Sequence, residues 1–201
     1  MSFNVIAIER EFATGGLEVG KKLAKKLNIP CYSKEILEIA AEKMNLSVGE
    51  LKDIEESTTG NLLFSLNLFA SYTSGGNIGL TKEQKLALVE AEVVKELSLN
   101  PCVIVGRGAA GLLDEKNVLK VFILADIDVR RERAINIYNV EEPLVDYTLR
   151  KFDKRRANYF NAITGVEWRN PKNYHMILNS SKLDIDSIAD ILFKCVEKSH
   201  M

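Results

Sequence analysis

Two hydrophobic rhythms organise this chain: short β-branched runs that read as buried strands, and longer stretches whose apolar residues recur at every third or fourth position as amphipathic helices. Val5 to Ile8 is the first strand-like run. It leads through a glycine-containing turn into Leu17 to Leu27, where Leu17, Val19, Leu23, Ala24 and Leu27 share a helical face. Asn28 and Pro30 stop that helix, Cys31 and Tyr32 suit a brief second strand, and Ser33 offers an N-cap for a helix carrying Ile36, Leu37, Ala40 and Met44. Ser47 and Glu50 form a capping-box pattern, with Leu46 and Leu51 placed as its hydrophobic staple. Thr81 is positioned to cap a long helix through Leu97, with Leu86, Val89, Val93 and Leu97 on one face, ended by Asn100 and Pro101. Cys102 to Val105 and Val118 to Leu124 are further buried-type strands, each followed by helix signals. Tyr174 to Leu178 supplies the last strand and Ile185 to Val196 the closing helix. Strands alternating with helices predict an α/β fold with a parallel sheet.

Length and composition narrow this picture. The 201 residues fit one compact domain, and 46% hydrophobic with 27% charged residues excludes low-complexity and wholly disordered classes. Lysine and arginine number 27 against 28 acidic residues, so overall charge recruits neither nucleic acid nor a membrane surface, and any anion site must arise from local arrangement. Cys31, Cys102 and Cys195 are an odd number, far apart, without a CxxC pair; neither a disulfide framework nor a zinc site is expected. The start, MSFNVIAIER, lacks the pattern of a secretion signal, and a cytoplasmic protein is expected. The stretches beginning at Ser57 and Ser71 flank an apolar patch, Leu62 to Ala70, too short to span a membrane; it either joins the core or pairs with a second subunit in a homodimer.

In an open parallel sheet, ligands gather where strand ends lead into helix N-termini. The first loop, Glu9, Arg10, Glu11, Phe12, Ala13, Thr14, Gly15 and Gly16, running into Leu17, lies at such a place. Paired glycines suit either a tight turn or a phosphate cradle. The sequence does not match GxxxxGK[ST]: Gly16 and Leu17 occupy the positions of the lysine that meets the β- and γ-phosphates and of the hydroxyl that holds magnesium. Arg10, two residues past the apolar strand, is placed to make a bidentate phosphate contact in the missing lysine's stead.

The run IAIEREFATGGLEVGKKLAKKLNIP resembles the opening of the cytidylate kinase-like family of P-loop proteins. YSKEIL from Tyr32, CVIVGRGA from Cys102, VFILADIDVRRER from Val121, the DxxRxxY pattern of Asp153, Arg156 and Tyr159, and the closing strand and helix are similar to further family segments in the same order. The resemblance covers nearly the whole chain except about residues 53–81. Ala13 stands where the family usually has glycine, and Ser33 where it usually has aspartate. The alanine is harmless if its backbone keeps negative φ; the serine removes a carboxylate near the acceptor site.

The resemblance implies a three-layer P-loop fold with a five-stranded parallel sheet ordered 2-3-1-4-5, a helical acceptor-binding region over about residues 33–97 and a lid over about 130–153, all in one domain of residues 1–201. It implies ATP and magnesium as cofactors and transfer of the γ-phosphate to a nucleoside monophosphate such as CMP, or another small acceptor. Phosphoryl transfer is catalysed mainly by positioning and positive charge, so the arginines carry the expectation. By resemblance, Arg107 grips the acceptor phosphate, Arg130 and Arg133 close over the transferring group, and Arg156 joins them; a structural salt bridge is the alternative for Arg107, and an ion pair with Asp153 the alternative for Arg156. Glu9 and Asp126, at strand ends, are candidate magnesium ligands; Asp126 and Asp128 equally suit helix caps, with capping the favoured reading for Asp128. The degenerate loop also fits a different class: a nucleotide-binding regulator or sensor with little turnover.

Overall fold

The computed structural model describes residues 3–47, 50 and 80–199. Its sheet has five parallel strands in the order β2-β3-β1-β4-β5. They are β1 (Val5–Arg10), β2 (Cys31–Tyr32), β3 (Cys102–Val105), β4 (Val118–Leu124) and β5 (Met176–Asn179). β1 is central, with Val5 opposite Cys102 on one side and Val118 on the other.

Both faces of the sheet are covered, which explains why its inner strands are almost continuously apolar. Successive residues point to opposite faces. Val5, Ala7, Cys102, Ile104, Val118 and Phe122 pack beneath α2 (Glu35–Lys43) and α3 (Lys82–Leu97), together with Phe160 and Trp168. Ile6, Ile8, Val103, Val105, Val121 and Ile123 pack on the other side against α1 (Gly16–Leu27) and α7 (Ile185–Ser199). The three layers are thus helices, sheet and helices. A short helix, α4 (Ala109–Leu112), follows β3; α5 (Ile127–Asn136) and the 20-residue α6 (Val145–Thr164) lie between β4 and β5.

The predicted helix ends mostly hold. Thr81 and Gln84 form a reciprocal capping box on α3, and Ser47 and Glu50 exchange the same pair of bonds. The staple residue Leu51 and the apolar patch Leu62 to Ala70 lie outside the described residues. Ser33 is not the cap of α2, which begins at Glu35 after Lys34. The Ser33 N–H donates instead to the Glu35 carboxylate at 2.8 Å, while the Ser33 carbonyl accepts from Arg107. β5 starts two residues later than predicted, because a tight turn at Pro171–Asn173 delivers Tyr174 inward to donate its hydroxyl to the Trp168 carbonyl. Among the described residues no helix is long and apolar enough to cross a membrane.

Candidate phosphate-binding site

The central strand ends at Arg10, and the loop after it is anchored at nearly every residue. Glu11 N–H donates to the Ile123 carbonyl at 3.0 Å. The Thr14 hydroxyl donates to the Glu11 carbonyl, and the Ser180 hydroxyl donates to the Thr14 carbonyl, both at 2.9 Å. Phe12 is buried, stacked on Phe152 with ring centres 4.6 Å apart and in contact with Tyr138. The loop opens into α1 through Gly15, whose φ of 77° is left-handed and which provides no side-chain cap for the first turn. Uncapped N–H groups at the start of a 12-residue helix are a ready anion site. Ala13 has φ of 62°, so the condition under which replacing glycine is harmless is not met. A left-handed L-residue costs about 1–2 kcal/mol, and the anchored loop sustains that strain.

The arginines divide sharply. Arg10 lies across bare backbone: a Cβ on Gly16 would sit 2.7 Å from the Arg10 Cβ, and one on Gly106 would overlap its guanidinium. Those two glycines let the side chain run between the ends of β1 and β3. Arg156 donates from Nη1 to the Arg10 carbonyl at 3.0 Å and lies over the Phe12 ring. Burial lowers the Arg10 pKa from its ordinary value; the Glu9 carboxyl opposes that shift, and the nearby Arg107 charge adds to it. Burial, then Arg10, push Arg156 down to about 9. These are like charges held together in a confined place, where an incoming polyanion relieves the repulsion. Arg107 stands between two left-handed glycines with φ of 59° and pairs with the buried Glu90 at 2.6 Å. Arg133 pairs with Glu18, lies against Gly15, and has a buried Nε without a hydrogen-bond partner.

Arg130 behaves differently from the expectation that it closes over a phosphate. It is 5% exposed, donates from Nε to the Phe12 carbonyl at 2.8 Å, and pairs with Asp153 at 2.6 Å and Glu11 at 3.1 Å. Its helical spacing to Arg133 is as read, but its donors are engaged inside the protein. Asp153 does not pair with Arg156 either; its partners are Arg130, Arg169 and the Phe12 N–H.

The two acidic candidates for magnesium also differ. Glu9 is buried, its Oε2 accepting from the Trp168 indole at 3.3 Å and its Oε1 without a hydrogen bond. Burial raises its pKa, with Arg10, the Trp168 indole and Arg156 opposing, and so enclosed a carboxyl is a poor match for a dication that keeps several waters. Asp126 fits better. It is half-exposed at the end of β4, and its pKa is lowered by a hydrogen bond from Asn179 and by Lys182. Asp126 rather than Asp128 is the N-cap of α5, without a side-chain capping bond; Asp128 in the first turn pairs with Arg131 instead.

The family model for the cytidylate kinase-like family matches residues 5–182. The chain belongs to that family. Among solved structures, this cytidylate kinase-like chain is similar to an uncharacterized protein from Eubacterium ventriosum ATCC 27560, with 28% identity and a TM-score of 0.71 over 96% of this chain and 98% of that one. It is also similar in fold to a shikimate kinase from Bacteroides thetaiotaomicron, with 19% identity and a TM-score of 0.52 over 96% and 98%. A shikimate kinase from Acinetobacter baumannii, in complex with shikimate, gives 11% identity and a TM-score of 0.50 over 98% and 94%. No curated protein matches the chain. The three-layer fold and sheet order are those of P-loop kinases.

Within this cytidylate kinase-like chain, three neighbours of the site, Glu18, Glu90 and Arg169, carry no role in the sequence motifs. Glu90 carries a legible signal, since it is a charge on the buried face that also presents Ala87, Ala91 and Val94. Tyr159 is the last residue of DxxRxxY; its hydroxyl is buried without a hydrogen bond, and burial, then Glu90, raise its pKa. Trp168 is a core residue at 1% exposure, with the Arg169 guanidinium over its ring. Nothing in sequence spacing ties Arg169 to Glu11, yet the two pair at 2.7 Å.

Proposed function

We propose that this protein is a phosphotransferase, folded as one domain, that moves the γ-phosphoryl group of ATP to a small acceptor, with a nucleoside monophosphate of the CMP type as the first candidate. The observation that carries this reading is the crowding of Arg10 and Arg156 beside the uncapped start of α1. Crowded guanidinium groups in front of helix N–H groups suit a polyphosphate. The triphosphate would lie along residues Ala13 to Leu17, with Arg10 supplying the charge that a P-loop lysine ordinarily provides and Arg133 placed beside Gly15. Arg107, held by Glu90, would orient the acceptor at the end of β3. Asp126 is the carboxylate suited to magnesium, which when bound would neutralise phosphate charge.

Chemistry then requires little of the chain beyond positioning. The acceptor oxygen displaces ADP in line, and the guanidinium groups stabilise charge spread over the transferring oxygens. A second reading also has an observation behind it. The loop hydroxyl of Thr14 is turned onto the Glu11 carbonyl, and Leu17 supplies none, so the protein would bind nucleotide as a sensor without efficient turnover.

Incubation of the purified protein with ATP, magnesium and a panel of nucleoside monophosphates and small hydroxylated acids separates the two. Formation of ADP coupled to a phosphorylated acceptor is expected. Saturable ATP binding without product across the panel would favour the sensor.

A further inference from the structure

Asp153 and Arg130 close a ring of bonds around the backbone of a single loop residue. The Phe12 N–H donates to Asp153 Oδ1 at 2.8 Å, the Phe12 carbonyl accepts from Arg130 Nε at 2.8 Å, and Arg130 Nη2 meets Asp153 Oδ2 at 2.6 Å. Both polar groups of that residue's backbone are thus gripped by one ion pair drawn from two different helices, α5 and α6. Around it, Glu11 pairs with Arg130 and Arg169, and Arg169 reaches Asp153 at 3.2 Å. Two acids and two arginines balance, so this network has no surplus charge to offer a ligand.

We propose that Asp153 is a positioning residue for the phosphate loop: with Arg130 it clamps the Phe12 backbone on both sides of its Cα and sets the direction of the N–H groups from Ala13 to Leu17. Phe12 is the last anchored residue before the left-handed Ala13, so its orientation is passed directly to the strained turn that follows. The clamp also fastens the start of the region expected to act as a lid. Residues Arg130 and Asp153, at its two ends, are tied to the loop floor, and swinging either helix away would strand a buried charge. Arg133, one helical turn further on and partly exposed, keeps its place over Gly15 because Arg130 fixes α5 beneath it. The inference rests on the phosphate-loop reading for its consequence but not for its geometry.

The test uses full-length protein with Asp153→Asn, which keeps volume and removes charge, and Asp153→Ala as a second variant. Hydrogen–deuterium exchange reads the loop without any ligand, and calorimetry with ATP reads the consequence. At least tenfold faster exchange across residues 11–16, with β1 amides from Val5 to Ile8 unchanged, is expected, together with at least tenfold weaker ATP binding by the folded variant. Loop exchange equal to wild type in a folded variant would overturn the clamp. Faster exchange with unaltered ATP affinity would overturn the positioning role. Failure of the wild type itself to bind ATP would defeat the nucleotide reading and with it the positioning role, while the exchange arm still decides whether the clamp exists.

Discussion

Two groups of arginines stand on either side of one short loop, and they are built on opposite principles. On the side of α5 and α6, Arg130 and Arg169 are matched by Glu11 and Asp153 in a compact ring. At the ends of β1 and β3, Arg156 meets the Arg10 carbonyl and lies close enough for the Arg10 charge to lower its pKa, while burial raises the pKa of the neighbouring Glu9 carboxyl. Arg130, with its donors engaged inside the protein, builds structure; Arg10 and Arg156, crowded beside the loop, are the groups on which the proposed function leans most. Counting arginines would have placed all of them in one cage. Their partners decide which of them are available to phosphate.

The sharpest way to break this comparison is to remove an arginine from the matched side. Arg130→Met should lower stability by about 3 kcal/mol, the lower end expected for breaking a buried pair, because Arg169 still reaches both acids. Chemical denaturation measures it, and Arg131→Met is the matched control. Arg131 is next along the same helix but pairs with Asp128 and Asp146 near the surface, and its loss should leave stability unchanged. Equal losses at 130 and 131 would erase the distinction between the ring and an ordinary surface pair.

On the crowded side the effect should appear in chemistry. Arg10→Ala should lower turnover at least tenfold, or about 1.4 kcal/mol of transition-state stabilisation, once an acceptor supports steady-state assay. An unchanged rate would show that Arg10 does not stand in for the missing lysine.

The sheet was readable because burial on both faces writes itself into sequence as unbroken runs such as VIAI and VFIL, and Thr81 announced the start of α3. Glu90 was readable in principle as a charge among alanines and valines. The division of the arginines was not. Arg130 and Arg133 have identical local spacing, and what separates them lies 118 residues away at Phe12 for one and 115 away at Glu18 for the other. Periodicity reports which face of a helix a residue occupies; it carries no information about the carboxylate that meets it across the fold. Ser33 failed as a cap for a related reason, since its backbone is engaged by Glu35 at the N–H and by Arg107 at the carbonyl, and the helix begins only after Lys34.

A third arrangement, matched but exposed, sharpens the contrast at the small end. Glu50 accepts from the Ser47 N–H at 3.0 Å and its hydroxyl at 2.9 Å, and it pairs with Lys82 at 2.9 Å. The Ser47 backbone bond, followed by Lys82, pushes the Glu50 carboxyl down to about 2 from an ordinary 4.5. A depressed folded-state pKa means that the ionised form stabilises the fold fully above the ordinary value, and that this contribution is lost as pH falls through the folded value. Glu50→Gln mimics the protonated acid while keeping a capping side chain. Wild type should therefore exceed the variant in thermal stability by a small, constant margin above about pH 5, narrowing to nothing near pH 2. Raising the ionic strength should shrink the same margin, because this pair faces solvent, while leaving the Arg130→Met loss nearly intact. A margin that grows on acidification would reverse the sign of the linkage, and one that resists salt would put an exposed pair on the same footing as the buried ring.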